Sequence, residues 1–294
     1  MAKKRKNIKM KIKARKPDWL KIQLPNTSDY KWMNQVIRDN KLHTICTSGK
    51  CPNAAECWGA GTATFMILGD ICTRACKFCN VKTGKPLAVD VKEPFRIARS
   101  IQIMKLKHAV ITSVDRDDLE DGGADIWQQT ILKVKEMNPE TTQEVLIPDF
   151  NGLHHLIKKV IDAGPEVVSH NLETVRRITP LVRTRAKYDL SLEVLKYIAQ
   201  NGVVAKTGIM VGLGETEEEV IETMQDAFNA GVKVFTIGQY LQPSKEHMEV
   251  SEYVTPEQFA RYEQLSLEIG LKFVESGPMV RSSYHAEKHI NALK

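Results

Sequence analysis

The stretch TATFMILGDICTRACKFC, residues 62–79, decides how the rest of the chain is read. Its first seven residues, Thr62–Leu68, are apolar or β-branched, enough for one buried strand and too few for a helix. Directly after it come Cys72, Cys76 and Cys79, in C-x3-C-x2-C spacing. Parallel α/β folds bind ligands at the carboxyl ends of their strands, so a reactive centre belongs at this point. Three thiolates are one too few for the four irons of a [4Fe–4S] cube, and a cube held this way keeps one iron open. The competing reading is structural zinc, which calls for four ligands and a closed shell.

A second triplet lies upstream, Cys46, Cys51 and Cys57, in C-x4-C-x5-C spacing, and these six are the only cysteines in 294 residues. Disulfide scaffolds are usually small secreted chains, so two compact triplets in a chain this long point to metal ligation in a reducing compartment. Taken alone, the upstream triplet reads as a zinc or iron–sulfur staple, with His43 available to complete a zinc site.

Downstream, short β-rich runs alternate with segments of helical period. The spacing predicts strands at Thr62–Leu68, His108–Ser113, Thr142–Pro148, Glu166–His170, Val203–Val211 and Lys233–Gln239. It predicts helices near Pro94–Lys107, Ala124–Met137, Gly152–Ala163, Leu172–Thr179 or beyond, Leu190–Asn201 and Thr216–Ala230, and a last one at Pro256–Leu271. Thr255 and Pro256 make an N-cap and first helical residue, and Gly202 and Gly231 stand where helices should end. Six β/α units in series imply a parallel sheet with right-handed crossovers. They are too few for an eight-fold barrel and enough for a partial one. The expected fold is therefore α/β, a partial (β/α)6 TIM-type barrel over residues 62–271. An N-terminal extension (1–61) carries the upstream triplet, and a C-terminal tail (272–294) follows.

The net charge of +6 is misleading. Residues 1–16 hold nine Lys or Arg and no acid, leaving 33 basic and 36 acidic side chains in the remainder. The basic tail is read as a solvated N-terminus in preference to a targeting segment or a nucleic-acid contact. No apolar run of signal-peptide length follows the tail, and the longest apolar stretches are too short to span a bilayer. A cytoplasmic protein with neither membrane nor nucleic acid as partner is expected.

Cys72-Thr-Arg-Ala-Cys76-Lys-Phe78-Cys79 resembles the C-x3-C-x-aromatic-C motif of the radical S-adenosylmethionine (SAM) enzymes. The segment Gly208-Ile-Met210-Val-Gly212-Leu-Gly214-Glu215 is similar to a glycine-rich strand of that superfamily. The resemblance implies a [4Fe–4S] cluster on Cys72, Cys76 and Cys79 whose open iron binds SAM, and reductive cleavage of SAM to a 5′-deoxyadenosyl radical. Unactivated C–H bonds lie beyond any protein acid or base, so a cofactor must supply this chemistry. The SAM contacts implied are Phe78, Thr112, Asn171, Glu173 and Met210, with Asp115 and Asp117 close behind the second strand. Helix capping is an alternative for Asn171 and Glu173.

The two triplets together resemble the lipoyl synthase family. So do Thr62–Gly69, Val114-Asp115-Arg116-Asp117-Asp118-Leu119 and Arg281-Ser282-Ser283-Tyr284-His285-Ala286. That resemblance implies an auxiliary [4Fe–4S] cluster on Cys46, Cys51, Cys57 and Ser283, consumed as a sulfur source. The residues alone leave Ser282 an equal candidate for the fourth ligand. Serine oxygen is a harder, poorer match for cluster iron than thiolate, which suits a cluster that must open. The implied reaction inserts sulfur at C6 and C8 of an octanoyl chain. That chain is carried on a lipoyl domain of a 2-oxoacid dehydrogenase E2 or on a glycine cleavage H protein, with ferredoxin or flavodoxin supplying electrons. Both clusters must then face one cavity, so the extension and the tail should meet at the barrel mouth. The alternatives are a methylthiotransferase or biotin-synthase-like enzyme, and a zinc-stapled binding module.

Overall fold

The computed structural model describes residues 16–21, 28–49, 51–59 and 62–288. The basic tail, apart from Lys16, lies outside the described residues, as do the last six positions.

Among the described residues, seven strands run parallel in one sheet: β1 (Thr62–Ile67), β2 (His108–Ser113), β3 (Thr142–Leu146), β4 (Val167–Ser169), β5 (Val204–Val211), β6 (Val234–Gln239) and β7 (Phe273–Gly277). Spatial order follows chain order. A two-residue strand from the extension, His43–Thr44, adds antiparallel to β1. All six residues of β1 and of β6 are buried, as strands covered on both faces must be. Six longer helices connect the strands: α1 (Glu93–Met104), α2 (Ala124–Met137), α3 (His154–Asp162), α4 (Tyr188–Gln200), α5 (Glu217–Asn229) and α6 (Pro256–Ile269). Their ends carry the expected chemistry. Thr216 and Glu219 form a reciprocal capping box on α5, Thr255 caps α6, and Gly202 and Gly231 take positive φ just past α4 and α5.

This is the partial barrel of the sequence reading, with one strand more. β7 extends the sheet beyond residue 271. It is short and contains Glu275 and Ser276, so no apolar run betrayed it.

The helix expected at Leu172–Thr179 is a correction. Leu172, Val175 and Ile178 are buried at helical spacing, yet residues 171–178 form a loop, followed by a single turn at Thr179–Val182. The backbone of Glu173 is held to β5 instead. Its N–H donates to the Gly208 carbonyl (3.0 Å), and its own carbonyl accepts from Met210 N–H (2.8 Å). That bridge and a φ of 68° at Glu173 are incompatible with a helix.

The barrel does not close through hydrogen bonds between β7 and β1. Residues 279–287 lie along this open side. Asn53 Nδ2 donates to the Met279 carbonyl (2.6 Å), Thr62 Oγ1 donates to the Glu287 carboxylate (3.3 Å), and Tyr284 OH donates to Glu56 (3.0 Å). The extension packs on the same flank. Its helix Ser28–Asp39 stacks Tyr30 on Trp58 of the helix Ala54–Gly59, with ring centroids 4.9 Å apart.

Candidate active site

The loop after β1 carries Cys72, Cys76 and Cys79. Ile71 and Cys72 pair with Lys82 and Thr83 in a two-stranded ribbon, and Gly84 N–H donates to the Cys72 carbonyl (3.0 Å). Cys72 Sγ accepts the N–H groups of Arg74 and Asp115, both at 3.4 Å. Thr184 and Val81 offer main-chain N–H groups to Cys76 and Cys79. Burial pushes the metal-free thiols up, Cys76 to about 11 and Cys79 to about 12. Arg183 lies close enough to Cys76 to favour its thiolate, without offsetting burial; buried sulfurs that face main-chain N–H donors suit thiolates on a metal.

Arg74, inside the motif, is almost fully buried. Its Nε and Nη2 donate to the two oxygens of Asp117, and its Nη1 and Nη2 to those of Asp149, all at 2.8 Å. Asp115 lies 3.4 Å away. Burial works against the Asp149 carboxylate, but the bonds and charge of Arg74 outweigh it and hold the acid at about 2. This clamp ties together the loops after β1, β2 and β3.

A cavity of about 270 Å3 opens at the carboxyl ends of the strands. The three cysteines line it with Phe78, Thr112, Asn171 and Glu173, and so do Arg183, Ile45 and Ser282. Three of its polar atoms are buried with no hydrogen-bond partner: Ser113 Oγ, Asn171 Oδ1 and Arg183 Nε. Thr112 has already committed its hydroxyl to the Leu146 carbonyl (3.2 Å), which leaves Ser113 as the hydroxyl on offer. Capping does not explain Asn171 or Glu173, because no helix starts there. Asn171 Nδ2 donates to Glu173 (3.2 Å), and burial raises the Glu173 carboxyl above its usual range. Met210 borders a small adjoining cavity with Gly208, Gly238 and Ser282. Glu215 accepts the N–H groups of Gly212 and Leu213, so the acid of the glycine-rich segment shapes the turn after β5.

The upstream triplet sits beside this cavity. Asn80 Nδ2, next to Cys79, donates to the Ser48 carbonyl (2.8 Å), and Ile45, next to Cys46, lines the cavity wall. Burial raises Cys46 and Cys57 to about 12 and pushes Cys51 upward as well. Main-chain N–H groups of Thr64, and of Asn53 and Ala54, face Cys46 and Cys51 respectively. The Trp58 indole N–H, buried without a full hydrogen bond, lies beside the Cys46 sulfur. Arg281 is close enough to Cys51 for their charges to interact. Ser282 borders the cavity. Ser283 is half-buried between it and Tyr284, whose hydroxyl reaches Glu56.

All six cysteines are free, and among the described residues no three His, Cys, Asp or Glu side chains converge to hold a single ion. His43 lines a separate cleft with Asp39 and Asp70. Two sets of three cysteines, with main-chain N–H groups facing most of the sulfurs, fit clusters, and the orphaned atoms of the cavity fit a polar ligand beside one.

The sequence offers Arg183 as a contact for the SAM carboxylate or as a solvated loop residue, and the structure puts it in the cavity wall; sequence reasoning did not find Asp149 or the role of Arg74. The position of Arg74 within the cysteine motif was the only local signal.

The family model of the Radical SAM superfamily matches residues 66–227. The chain is 64% identical over 276 residues to a lipoyl synthase of Parabacteroides distasonis, covering 94% of this chain and 98% of that one. It is 61% identical to a lipoyl synthase of Phocaeicola vulgatus, again over 94% and 98%. SuiB of Streptococcus suis, crystallised with S-adenosylmethionine, is similar in fold, with a TM-score of 0.57 over 76% of this chain and 53% of that one at 11% identity.

Proposed function

The chain belongs to the lipoyl synthase family of the radical SAM superfamily, and we propose on that premise that it inserts two sulfur atoms, at C6 and C8, into an octanoyl group borne by a lipoyl carrier protein. The observation that carries this reading is the meeting of three segments at one cavity. The loop of Cys72, Cys76 and Cys79, the extension through Ile45, and the tail through Ser282 all line it. One radical source and one sulfur source must reach the same carbon chain, and a cavity bordered by all three segments supports that reading.

When bound, the clusters and SAM supply the radical that removes hydrogen and the sulfur that replaces it. The chain positions them. Cys72, Cys76 and Cys79 would hold the SAM-binding cluster, and Cys46, Cys51, Cys57 and Ser283 the auxiliary one. Support for Ser283 is its place between Arg281, near Cys51, and Tyr284, bonded to Glu56. Ser113, Asn171 and Arg183 would use their orphaned atoms on the polar parts of SAM, with Phe78, Thr112, Glu173 and Met210 around them. Ile45, Met66, Val81 and Leu146 give the cavity the apolar wall that an octanoyl chain needs, and keep water from the radical. A carrier of E2 or H-protein type and an electron donor of ferredoxin or flavodoxin type complete the proposal.

The test is anaerobic incubation with SAM, a reductant and an octanoylated carrier peptide. The expected products are 5′-deoxyadenosine and a peptide in which two sulfurs replace two hydrogens. Preparations should be brown with about eight irons per chain, as two cubes require. A colourless zinc protein, or 5′-deoxyadenosine with no change in peptide mass, would overturn the assignment.

A further inference from the structure

Arg74 and Arg183 both line the main cavity, and their surroundings differ. Arg74 is matched by Asp117 and Asp149. Arg183 forms no ion pair among the described residues, and its Nε is buried without a hydrogen-bond partner. A guanidinium with a free donor at a cavity wall calls for an anionic group, and the carboxylate is the anionic group of SAM.

A chain of hydrogen bonds fixes Arg183 from behind. Its Nη1 donates to Ser191 Oγ (3.1 Å), and at longer range to the carbonyls of Asn171 (3.3 Å) and Leu172 (3.4 Å). Ser191, in the first turn of α4, is fully buried, and its Oγ lies 3.0 Å from His170 Nε2. His170 Nδ1 lies 2.9 Å from the Ile147 carbonyl. The directions of these bonds follow by elimination. A carbonyl only accepts, so Nδ1 carries the proton. Burial, which lowers the pKa of the ring to about 4, keeps it neutral, and Nε2 is then an acceptor. Ser191 therefore donates its one hydrogen to Nε2 and turns its lone pairs to Arg183. The imidazole sets the hydroxyl, and the hydroxyl sets the guanidinium.

We propose that Ser191 and His170 are positioning residues for SAM binding, holding Arg183 where it takes the SAM carboxylate. This rests on the radical SAM reading. Ser191 does not border the cavity, so it acts through Arg183. His170 borders it, but both of its nitrogens are committed to protein groups.

The test measures SAM binding by calorimetry to the full, cluster-loaded chain under anaerobic conditions. Ser191→Ala should weaken binding about tenfold, as loss of one hydrogen bond to a charged group implies, and should raise KM for SAM by a like factor. The rate of 5′-deoxyadenosine formation at saturating SAM should change by less than about twofold. Two variants of His170 separate positioning from packing. The Gln carbonyl can replace Nε2 as acceptor for Ser191, so His170→Gln should bind SAM like the unsubstituted chain. Asn can replace only the Nδ1 donor, so His170→Asn should bind as weakly as Ser191→Ala. Decarboxylated SAM should bind Ser191→Ala and the unsubstituted chain equally. Undiminished SAM affinity in Ser191→Ala refutes the proposal. So do equal affinities in the two His170 variants, which would make the ring a packing element. A tenfold loss for decarboxylated SAM refutes it too, since Arg183 would then serve another part of the ligand. If Ser191→Ala does not fold, the His170 pair decides. Failure of the unsubstituted chain to bind SAM would instead remove the radical SAM reading itself.

Discussion

Arg74 and Asp149 share two parallel 2.8 Å hydrogen bonds although 75 residues separate them. One sits inside the cysteine motif and the other at the end of the third strand's loop, and both are almost fully buried. Removing one member of such a pair leaves a buried charge unmatched. Asp149→Ala should cost about 3–5 kcal/mol, read by urea denaturation of the metal-free chain. Arg74→Lys keeps the charge and loses the fork, so it should also weaken cluster retention. Stability and iron content unchanged in both variants would show that the clamp is dispensable.

Gly238 on β6 faces the tail. A Cβ there would lie 2.1 Å from the Val280 carbonyl oxygen, a main-chain atom that cannot rotate away. Gly238→Ala should displace residues 280–284 from the barrel. The expected phenotype is a disturbed auxiliary cluster by Mössbauer spectroscopy and lost sulfur insertion, while 5′-deoxyadenosine still forms. Normal lipoyl product from this variant would separate the tail from the reaction.

His170 predicts a response to acid. Its ring is fully enclosed, with one nitrogen on the Ile147 carbonyl (2.9 Å) and the other on Ser191 (3.0 Å). Burial first, and then the charge of Arg183, lower its pKa from 6.5 to about 4. The unfolded chain therefore takes up this proton before the folded one does. The contribution to stability is complete above pH 6.5 and is lost as pH falls through 4, amounting to roughly 3 kcal/mol. His170→Gln should flatten the pH dependence of denaturation in that window; an identical slope would assign the acid sensitivity to other groups.

The two triplets should separate by mutation. Cys51→Ala is expected to leave SAM cleavage largely intact and to abolish sulfur transfer. Cys76→Ala should abolish both, because without it the cluster that binds SAM is lost. Lipoyl product from Cys51→Ala would rule out the upstream triplet as donor.

Local signals were faithful where one segment makes its own structure. His108–Ser113 and Ala124–Met137 have the bounds that their periodicity predicts, because each carries an apolar face sufficient to specify it. Leu172, Val175 and Ile178 misled for the same reason. Their spacing suits a helix, but a hydrogen-bonded bridge to β5 overrode it. β7 went unseen because the register of its neighbour β6, more than any run of its own, makes it a strand.

By itself the chain determined its repeating β/α order, its two cysteine triplets and its family, since spacing along the backbone is all that these need. Only the tertiary structure decided which distant groups meet. Arg74 finds Asp117 and Asp149, Arg281 finds Cys51, and Ser282 comes to the cavity wall. The physical reason is that a charge or a serine has no local partner preference strong enough to be read in sequence. It acquires a partner only when the sheet has brought the carboxyl ends of its strands, and the tail that lies along its open side, to one place.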